Sequence, residues 1–200
     1  MIKTIEDKIF SRMKKAKRGV VFFATDFTAY GNAKSCGKAL ERLTEQEKIM
    51  RVTRGIYTIP QKSQFFGLVD PGTEEIARGI ARRDKTRIIP TGLFAENLLG
   101  LSTQVPAKAV YLTDGAPRKL MIGKTALIFK KTTPKNLATY GKISTLAIQA
   151  LKSIGKKRIT DYEIEKVVNI LKKENPKHLA HDIKLAPEWI REIMRKAITV

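Results

Sequence analysis

The sequence contains few side chains at the spacing that catalysis or metal binding requires. His178 and His181 lie three positions apart and Asp182 follows, but adjacent ligands rarely form a site without distant partners. Cys36 is the single cysteine, which excludes an internal disulfide and any cysteine-cluster metal site. No phosphate-binding GxGxxG or Walker-type glycine loop occurs, and no two acidic residues have a useful spacing. We therefore expect a protein that is not an enzyme and that uses no catalytic residue, metal or cofactor.

The strongest chemical signal is positive charge. Lysine and arginine number 39 against 19 aspartates and glutamates, and the net charge is +20. Such an excess indicates a polyanionic partner, and nucleic acid is favoured because neutralising phosphates releases condensed counterions. A membrane fits poorly, since no stretch approaches the roughly 20 apolar residues of a span. The acidic start MIKTIEDKIF does not look like a signal peptide, so we expect a cytoplasmic protein.

Five basic residues between positions 34 and 54 lie on a predicted helix and a predicted hairpin. The third predicted helix, which opens at Asn32 or Ser35, separates an apolar face from a basic face. The basic face carries Lys34, Lys38 and Arg42. In the stretch that follows, RVTRGIYTIP, β-branched runs on both sides of Arg54-Gly55 predict a tight hairpin that also carries Arg51.

The order of predicted elements before residue 60 is typical of a winged helix-turn-helix. A helix over residues 4–15 is followed by a short apolar run at 20–23, a brief helix that ends near Gly31, the third helix and the hairpin. In that architecture the third helix enters the major groove and the hairpin lies against the backbone or minor groove. Arg51 and Arg54 would then contact phosphates or a narrow groove, although a surface hairpin with solvated arginines remains the alternative.

The rest of the chain alternates helices and strands and ends in helices. Helices are predicted over residues 73–83, 91–99, 143–154 and 161–173 and after Pro187, and strands over 86–89, 109–112, 119–122 and 126–130. We therefore predict an α+β fold: an N-terminal winged helix-turn-helix domain over residues 1–62, then a mixed α/β C-terminal domain over 73–200 that ends in a helical segment. Residues between these domains are predicted to connect them.

A second basic surface is predicted within the C-terminal domain. No acidic residue occurs between Asp114 and Asp161, and a solvated face normally mixes its signs. The basic residues of this acid-free segment are Arg118, Lys119, Lys124, Lys130, Lys131, Lys135, Lys142, Lys152, Lys156, Lys157 and Arg158. They can serve DNA or an acidic protein partner, or they can form a merely soluble basic surface.

Three stretches resemble a known family: MRVTRGIYTIP, RIIPTGLFAENLLGLSTQVPAKAVYLTDG and KKTTPKNLAT. They are similar to the AbiEi-type antitoxins of bacterial type IV toxin-antitoxin systems, and the resemblance covers nearly the whole chain. It implies an autorepressor that binds double-stranded DNA of its own promoter. Repressors of this kind usually meet repeated half-sites, so we expect two molecules per operator. It also implies a C-terminal domain that counters a nucleotidyltransferase-like toxin without a stable complex, in abortive infection against phage. The DNA-reading residues that it implies are Lys34, Ser35, Lys38, Arg42, Arg51 and Arg54.

Two other classes of protein compete with this interpretation. One is an RNA- or protein-binding module that uses the basic C-terminal domain. The other is an enzyme acting on nucleic acid, which would need acidic metal ligands in a segment that has none.

Overall fold

The chain has an α+β fold. The computed structural model describes residues 3–17, 19–63, 67–69 and 71–198. Two compact units are formed, Met1–Arg83 with Met121–Gly123 and Asp84–Leu120 with Lys124–Val200. Packing alone does not establish which segments fold by themselves, so the domain boundaries at residues 62 and 73 stay predictions. Residue 1 lies outside the described part.

Among the described residues up to Asp84, the first unit has three α-helices and five short strands. Its elements are α1 Ile5–Lys14, β1 Val21–Phe23, a 3-10 segment Ala24–Tyr30, α2 Ala33–Glu45, β2 Met50–Thr53, β3 Ile56–Thr58, β4 Gln61–Ser63, β5 Gly67–Val69 and α3 Thr73–Asp84. Strands β4 and β5 pair in the predicted connector, of which residues 64–66 and 70 lie outside the described part.

Local capping explains where the first helices begin. The Thr4 hydroxyl accepts a hydrogen bond from the Asp7 N–H, and the Asp7 carboxylate accepts one from the Thr4 N–H, so α1 starts with a capping box. The Asn32 side chain accepts a hydrogen bond from the Ser35 N–H at 2.8 Å and caps α2. The second predicted helix is a 3-10 segment instead, in which the Asp26 carboxylate accepts from the Phe23 N–H at 2.8 Å.

An apolar core joins α1, α2 and the adjoining sheet. Its buried residues are Ile9, Met13, Phe22, Phe27, Cys36, Ala39, Leu40, Leu43, Ile49 and Tyr57. Strand β3 is the centre of an antiparallel sheet ordered β1-β3-β2. The predicted hairpin is the β2–β3 connection, where Gly55 has a φ of 76° that a side chain would disfavour.

Helix α3 packs closely on β1 because it presents a glycine there. A Cβ atom added to Gly79 would lie 2.2 Å from the Val21 Cγ2, so no larger residue fits this contact without movement. One turn further along, the Arg83 guanidinium lies 4.3 Å from the centre of the Phe23 ring.

The second unit combines a four-stranded sheet with a group of helices. Its elements are β6 Ile88–Thr91, α4 Leu93–Leu98, β7 Lys108–Thr113, β8 Arg118–Ile122, β9 Thr125–Lys131, a 3-10 segment Pro134–Leu137, α5 Lys142–Ile154, α6 Asp161–Leu171, α7 Pro176–Ile183 and α8 Glu188–Arg195. The strand order is β6-β7-β9-β8, with β6 antiparallel and β9 parallel to β7.

Two of the predicted elements need correction. The strand predicted over 86–89 runs instead from Ile88 through Pro90 to Thr91, which is tolerated because β6 is an edge strand. Helix α7 lies in a stretch for which no helix was predicted, and Asn175 caps it by accepting from the Lys177 and His178 N–H groups.

The helices of this unit share one core. Buried residues of α4 to α8 form it: Ala95, Leu99, Ala147, Ile148, Ala150, Leu151, Val167, Leu171, Leu179, Ile183, Ala186, Ile190, Ile193 and Met194. Trp189 packs against this core as a partly buried side chain.

Candidate nucleic-acid interface

Helix α2 has one buried and one exposed face. Its residues Cys36, Ala39, Leu40 and Leu43 are buried in the core of the first unit. Lys34, Lys38 and Arg42 are exposed, and the 3.6-residue repeat places them along one side of the helix. The structure therefore brings the predicted basic face together as a single strip.

The three basic residues of this strip differ in whether they form an ion pair within the protein. The Arg42 guanidinium lies 2.9 Å from the Glu6 carboxylate of α1, with 64% of the Arg42 side chain exposed. An ion pair so open to solvent contributes little stability, so a phosphate can replace Glu6 at small cost. Within the described part of the chain, no ion pair engages Lys34 or Lys38.

Ser35 is placed differently from its lysine neighbours. Its hydroxyl lies 3.0 Å from the Asn32 carbonyl oxygen and 2.9 Å from the Asn32 side-chain oxygen. The hydroxyl hydrogen is therefore used in the N-cap of α2, and a base edge would meet Ser35 as an acceptor.

The hairpin supplies the two predicted arginines. Arg51 stands opposite Tyr57 on β2, Arg54 occupies the turn, and both arginines are exposed. Tyr57 is only 9% exposed, so it belongs to the core rather than to the hairpin surface. A register shift between Arg51 and Thr53 interrupts the ladder near the turn.

Gly37 is a feature of α2 that the sequence analysis missed. It lies on the exposed face between Lys34 and Lys38, and a Cβ atom added there would meet nothing within 4 Å. Glycine inside a helix costs about 1 kcal/mol relative to alanine, so packing in the fold does not explain this residue. A mid-helix glycine with a free outer side was the signal available in the sequence.

The acid-free segment presents its basic residues on several elements. Those exposed are Lys119, Lys124, Lys130, Lys131, Lys135, Lys142, Lys152, Lys156, Lys157 and Arg158. Arg118 is half-buried, pairs with Asp84 and lies 5.9 Å from the centre of the Phe129 ring, so its charge is already used. Partial burial of the ammonium group and then the positive charge of Lys135 lower the pKa of Lys152.

His178, His181 and Asp182 are not gathered into a set of metal ligands in the described part of the chain. No group of three or more metal-ligand side chains occurs among the described residues. Asp182 is fully buried, and its carboxylate accepts hydrogen bonds from the Tyr140 N–H at 2.9 Å, the Gly141 N–H at 2.8 Å and the Ser144 hydroxyl. Asp182 in α7 therefore anchors the two residues that lead into α5, whereas the N–H groups of Ile143 and Ser144 in its first turn donate to the Glu174 carboxylate.

The chain belongs to the DUF6088 family, a family of unknown function whose model matches residues 8–179. A solved structure with a similar backbone is described as the crystal structure of the RV2827C protein from Mycobacterium tuberculosis. Its TM-score is 0.48 and its sequence identity 13%, over 98% of this chain and 82% of that one. No curated protein matches the chain. Among the helices of the described residues, none has the length and apolar character needed to cross a membrane.

Proposed function

We propose that the protein is a DNA-binding transcriptional repressor whose first unit works as a winged helix-turn-helix. The observation that carries the proposal is the basic strip on α2 followed directly by a hairpin with two exposed arginines. Strand β1 pairs with this hairpin and completes the small sheet that winged helices use. The charge of +20 supports a polyanionic target.

The two basic elements have different tasks in this proposal. Helix α2 enters the major groove, where Lys34 and Lys38 reach base edges and Arg42 exchanges Glu6 for a phosphate. Arg51 and Arg54 of the hairpin contact the backbone and fix the register of the protein on the duplex. Because base contacts specify and phosphate contacts position, substitutions in the two elements have distinguishable effects.

The proposed target is double-stranded DNA in the promoter of the protein's own gene, with repeated half-sites that bind two molecules. Occupying the promoter blocks transcription. The resemblance to AbiEi-type antitoxins extends the proposal to an antitoxin of a type IV system in the cytoplasm. There it counters a nucleotidyltransferase-like toxin without forming a stable complex, as part of abortive infection against phage.

Binding to labelled DNA from immediately upstream of the gene, compared with a scrambled duplex at two salt concentrations, tests the repressor. We expect preference for the upstream duplex to persist at the higher salt, because counterion release weakens both complexes similarly while base contacts do not depend on it. Equal affinity for both duplexes at both salt concentrations would contradict operator recognition.

A second candidate function is an RNA- or protein-binding module built on the second unit. The exposed lysines of the acid-free segment favour it, because no local carboxylate within that segment offsets their charge. Retention of single-stranded RNA or of an acidic protein by the purified chain, without any preference for the upstream duplex, would put this candidate first.

A further inference from the structure

An exposed tyrosine stacks on a histidine at the start of α5. Tyr140 is 67% exposed, and its ring centre lies 4.1 Å from that of His181 with an interplanar angle of 18°. His178 stands edge-on to the same tyrosine at 6.2 Å and 64°. These three residues are called the Tyr140 platform below, and a solvent-exposed stack of this kind does not bury apolar area for the core.

One buried carboxylate holds the platform in place. Asp182 accepts from the Tyr140 N–H at 2.9 Å, and its Oδ1 lies 2.8 Å from the His181 Nδ1. This one carboxylate, which is 0% exposed, therefore anchors the backbone of Tyr140 and the ring of His181, on which the tyrosine ring stacks. A surface ring that is already oriented loses little conformational freedom when a flat ligand stacks on it.

The charges around the platform suit an anionic ligand. Lys142 is the first residue of α5, and Lys177 and Lys184 share with His181 the i, i+4, i+7 side of α7; all three lysines are exposed. The Glu174 carboxylate accepts from the Ile143 N–H at 2.7 Å and the Ser144 N–H at 3.2 Å. Backbone amides thus engage the local carboxylates, while the lysines face solvent.

We propose that the Tyr140 platform binds an unpaired base of a single-stranded nucleic acid, with the flanking phosphates at Lys142, Lys177 and Lys184. Every base has a π-face, so a tyrosine stack next to cations binds single strands with little sequence preference. Bases inside a duplex are already stacked and offer no free face. The inference deepens the second candidate function and does not depend on DNA reading by the first unit.

Fluorescence anisotropy with a labelled single strand of ~12 nucleotides, as RNA and as DNA of the same sequence, tests the site. The Tyr140→Ala variant should bind single strands about 5- to 150-fold more weakly, whereas Tyr140→Phe, which keeps the ring, should stay close to the wild type. Tyr162→Ala is the matched control, because Tyr162 is 72% exposed in the same unit. Its affinity should not change.

Lys177→Glu provides a second test that leaves the tyrosine in place. An acidic residue in the first turn favours a helix, so this variant should keep α7 folded while it weakens single-strand binding and its salt dependence. If affinity falls only for the RNA strand, RNA is the source of the base. If affinity falls for both the RNA and the DNA strand, the site recognises the base and phosphate chemistry that they share. Either result supports the site.

Three results would overturn the inference. In the first, Tyr140→Ala binds both single strands with the affinity of the wild type. In the second, Tyr162→Ala loses as much single-strand affinity as Tyr140→Ala. In the third, polyglutamate displaces the RNA equally from the Tyr140→Ala and Tyr162→Ala variants. The last result would indicate an acidic protein partner instead. Binding to the upstream duplex, measured in parallel, should be unchanged by Tyr140→Ala, so a failure of operator recognition is seen separately.

Discussion

The basic strip of α2 with its hairpin and the acid-free segment of the second unit are both rich in lysine and arginine, but they present these residues differently. The strip is linear, backed by a buried apolar face, and followed by a hairpin of fixed register. The acid-free segment spreads its cations over strands, turns and helix ends. Charge alone therefore indicates a polyanion, whereas only regular spacing on a rigid element can discriminate one sequence from another.

Truncating a buried side chain beneath the basic strip of α2 should have the largest effect on the difference between the two regions. Leu40→Ala and Leu151→Ala each truncate a side chain that is 0% exposed, one in each unit, and each should lower the free energy of unfolding by about 2–5 kcal/mol. Denaturant unfolding measures this loss. At a temperature where both variants remain folded, only Leu40→Ala should reduce affinity for the upstream duplex. Equal loss in Leu151→Ala would mean that the second unit also shapes duplex recognition.

Separating base contacts from phosphate contacts should give the next largest effect. Lys38→Ala should lower affinity for the upstream duplex by about 1–3 kcal/mol and leave the scrambled duplex almost unchanged. Arg54→Ala should weaken both duplexes and reduce the slope of log K against log salt by about 1. Salt titrations by anisotropy measure both quantities. Lys124→Ala, in a turn of the acid-free segment, serves as the control. Identical salt titrations for all three variants would show that the two regions do not differ in how they bind DNA.

Filling the space outside Gly37 should raise stability and lower binding. Gly37→Ala should stabilise the fold by up to about 1 kcal/mol because alanine loses less backbone entropy in a helix. Its methyl group would stand between α2 and the duplex, so affinity should fall. Thermal unfolding and duplex binding measure the two effects. Asn169→Ala on the exposed side of α6 is the control and should gain stability without losing affinity. Unchanged duplex binding by Gly37→Ala would mean that α2 lies further from the groove.

The smallest expected effect concerns acid stability, and it should be similar in the two regions. Hydrogen bonds from the Arg87 backbone N–H and then its side chain lower the pKa of Asp114, and hydrogen bonds from the Thr4 side chain and then its backbone lower that of Asp7. Each carboxylate thus stabilises the fold above its unfolded pKa of about 4, and this contribution disappears as pH falls through the lowered folded value.

Asp114→Asn and Asp7→Asn should therefore each melt earlier than the wild type at pH 6 and approach it as the pH decreases below about 4. Thermal unfolding across this pH range measures the difference. A constant difference at every pH would show that the amide disturbs packing rather than removing a charge.

Local signals in the sequence predicted much of the fold. The apolar repeat of α2 and the Arg54-Gly55 turn each depend on residues within a few positions, so their elements appear as predicted. Helix α7 was not predicted, although its N-cap Asn175 and Pro176 at its first position are local start signals. The extension of β6 through Pro90 also depends on an edge position that only the assembled sheet defines.

The candidate sites follow the same rule. Exposure of Lys34 and Lys38 could be predicted from helix periodicity, whereas the Arg42–Glu6 pair joins residues 36 positions apart. The Tyr140 platform depends on Asp182, which is 42 positions from Tyr140 along the chain. No local pattern announces such contacts, since they form only when α5 and α7 pack together. DNA binding stays a prediction that the experiments above test, and antitoxin activity stays a proposal.

The position of Asp182 has a consequence for where the protein can be divided. Similarity to the family ends at residue 179, so a shortened chain drawn to that limit would lose the carboxylate. The N–H groups of Tyr140 and Gly141 and the hydroxyl of Ser144 would then have no acceptor there, and unpaired buried donors are costly. The recognisable stretch of sequence and the hydrogen-bonded unit thus end at different residues, and a fragment intended for expression should extend through α8.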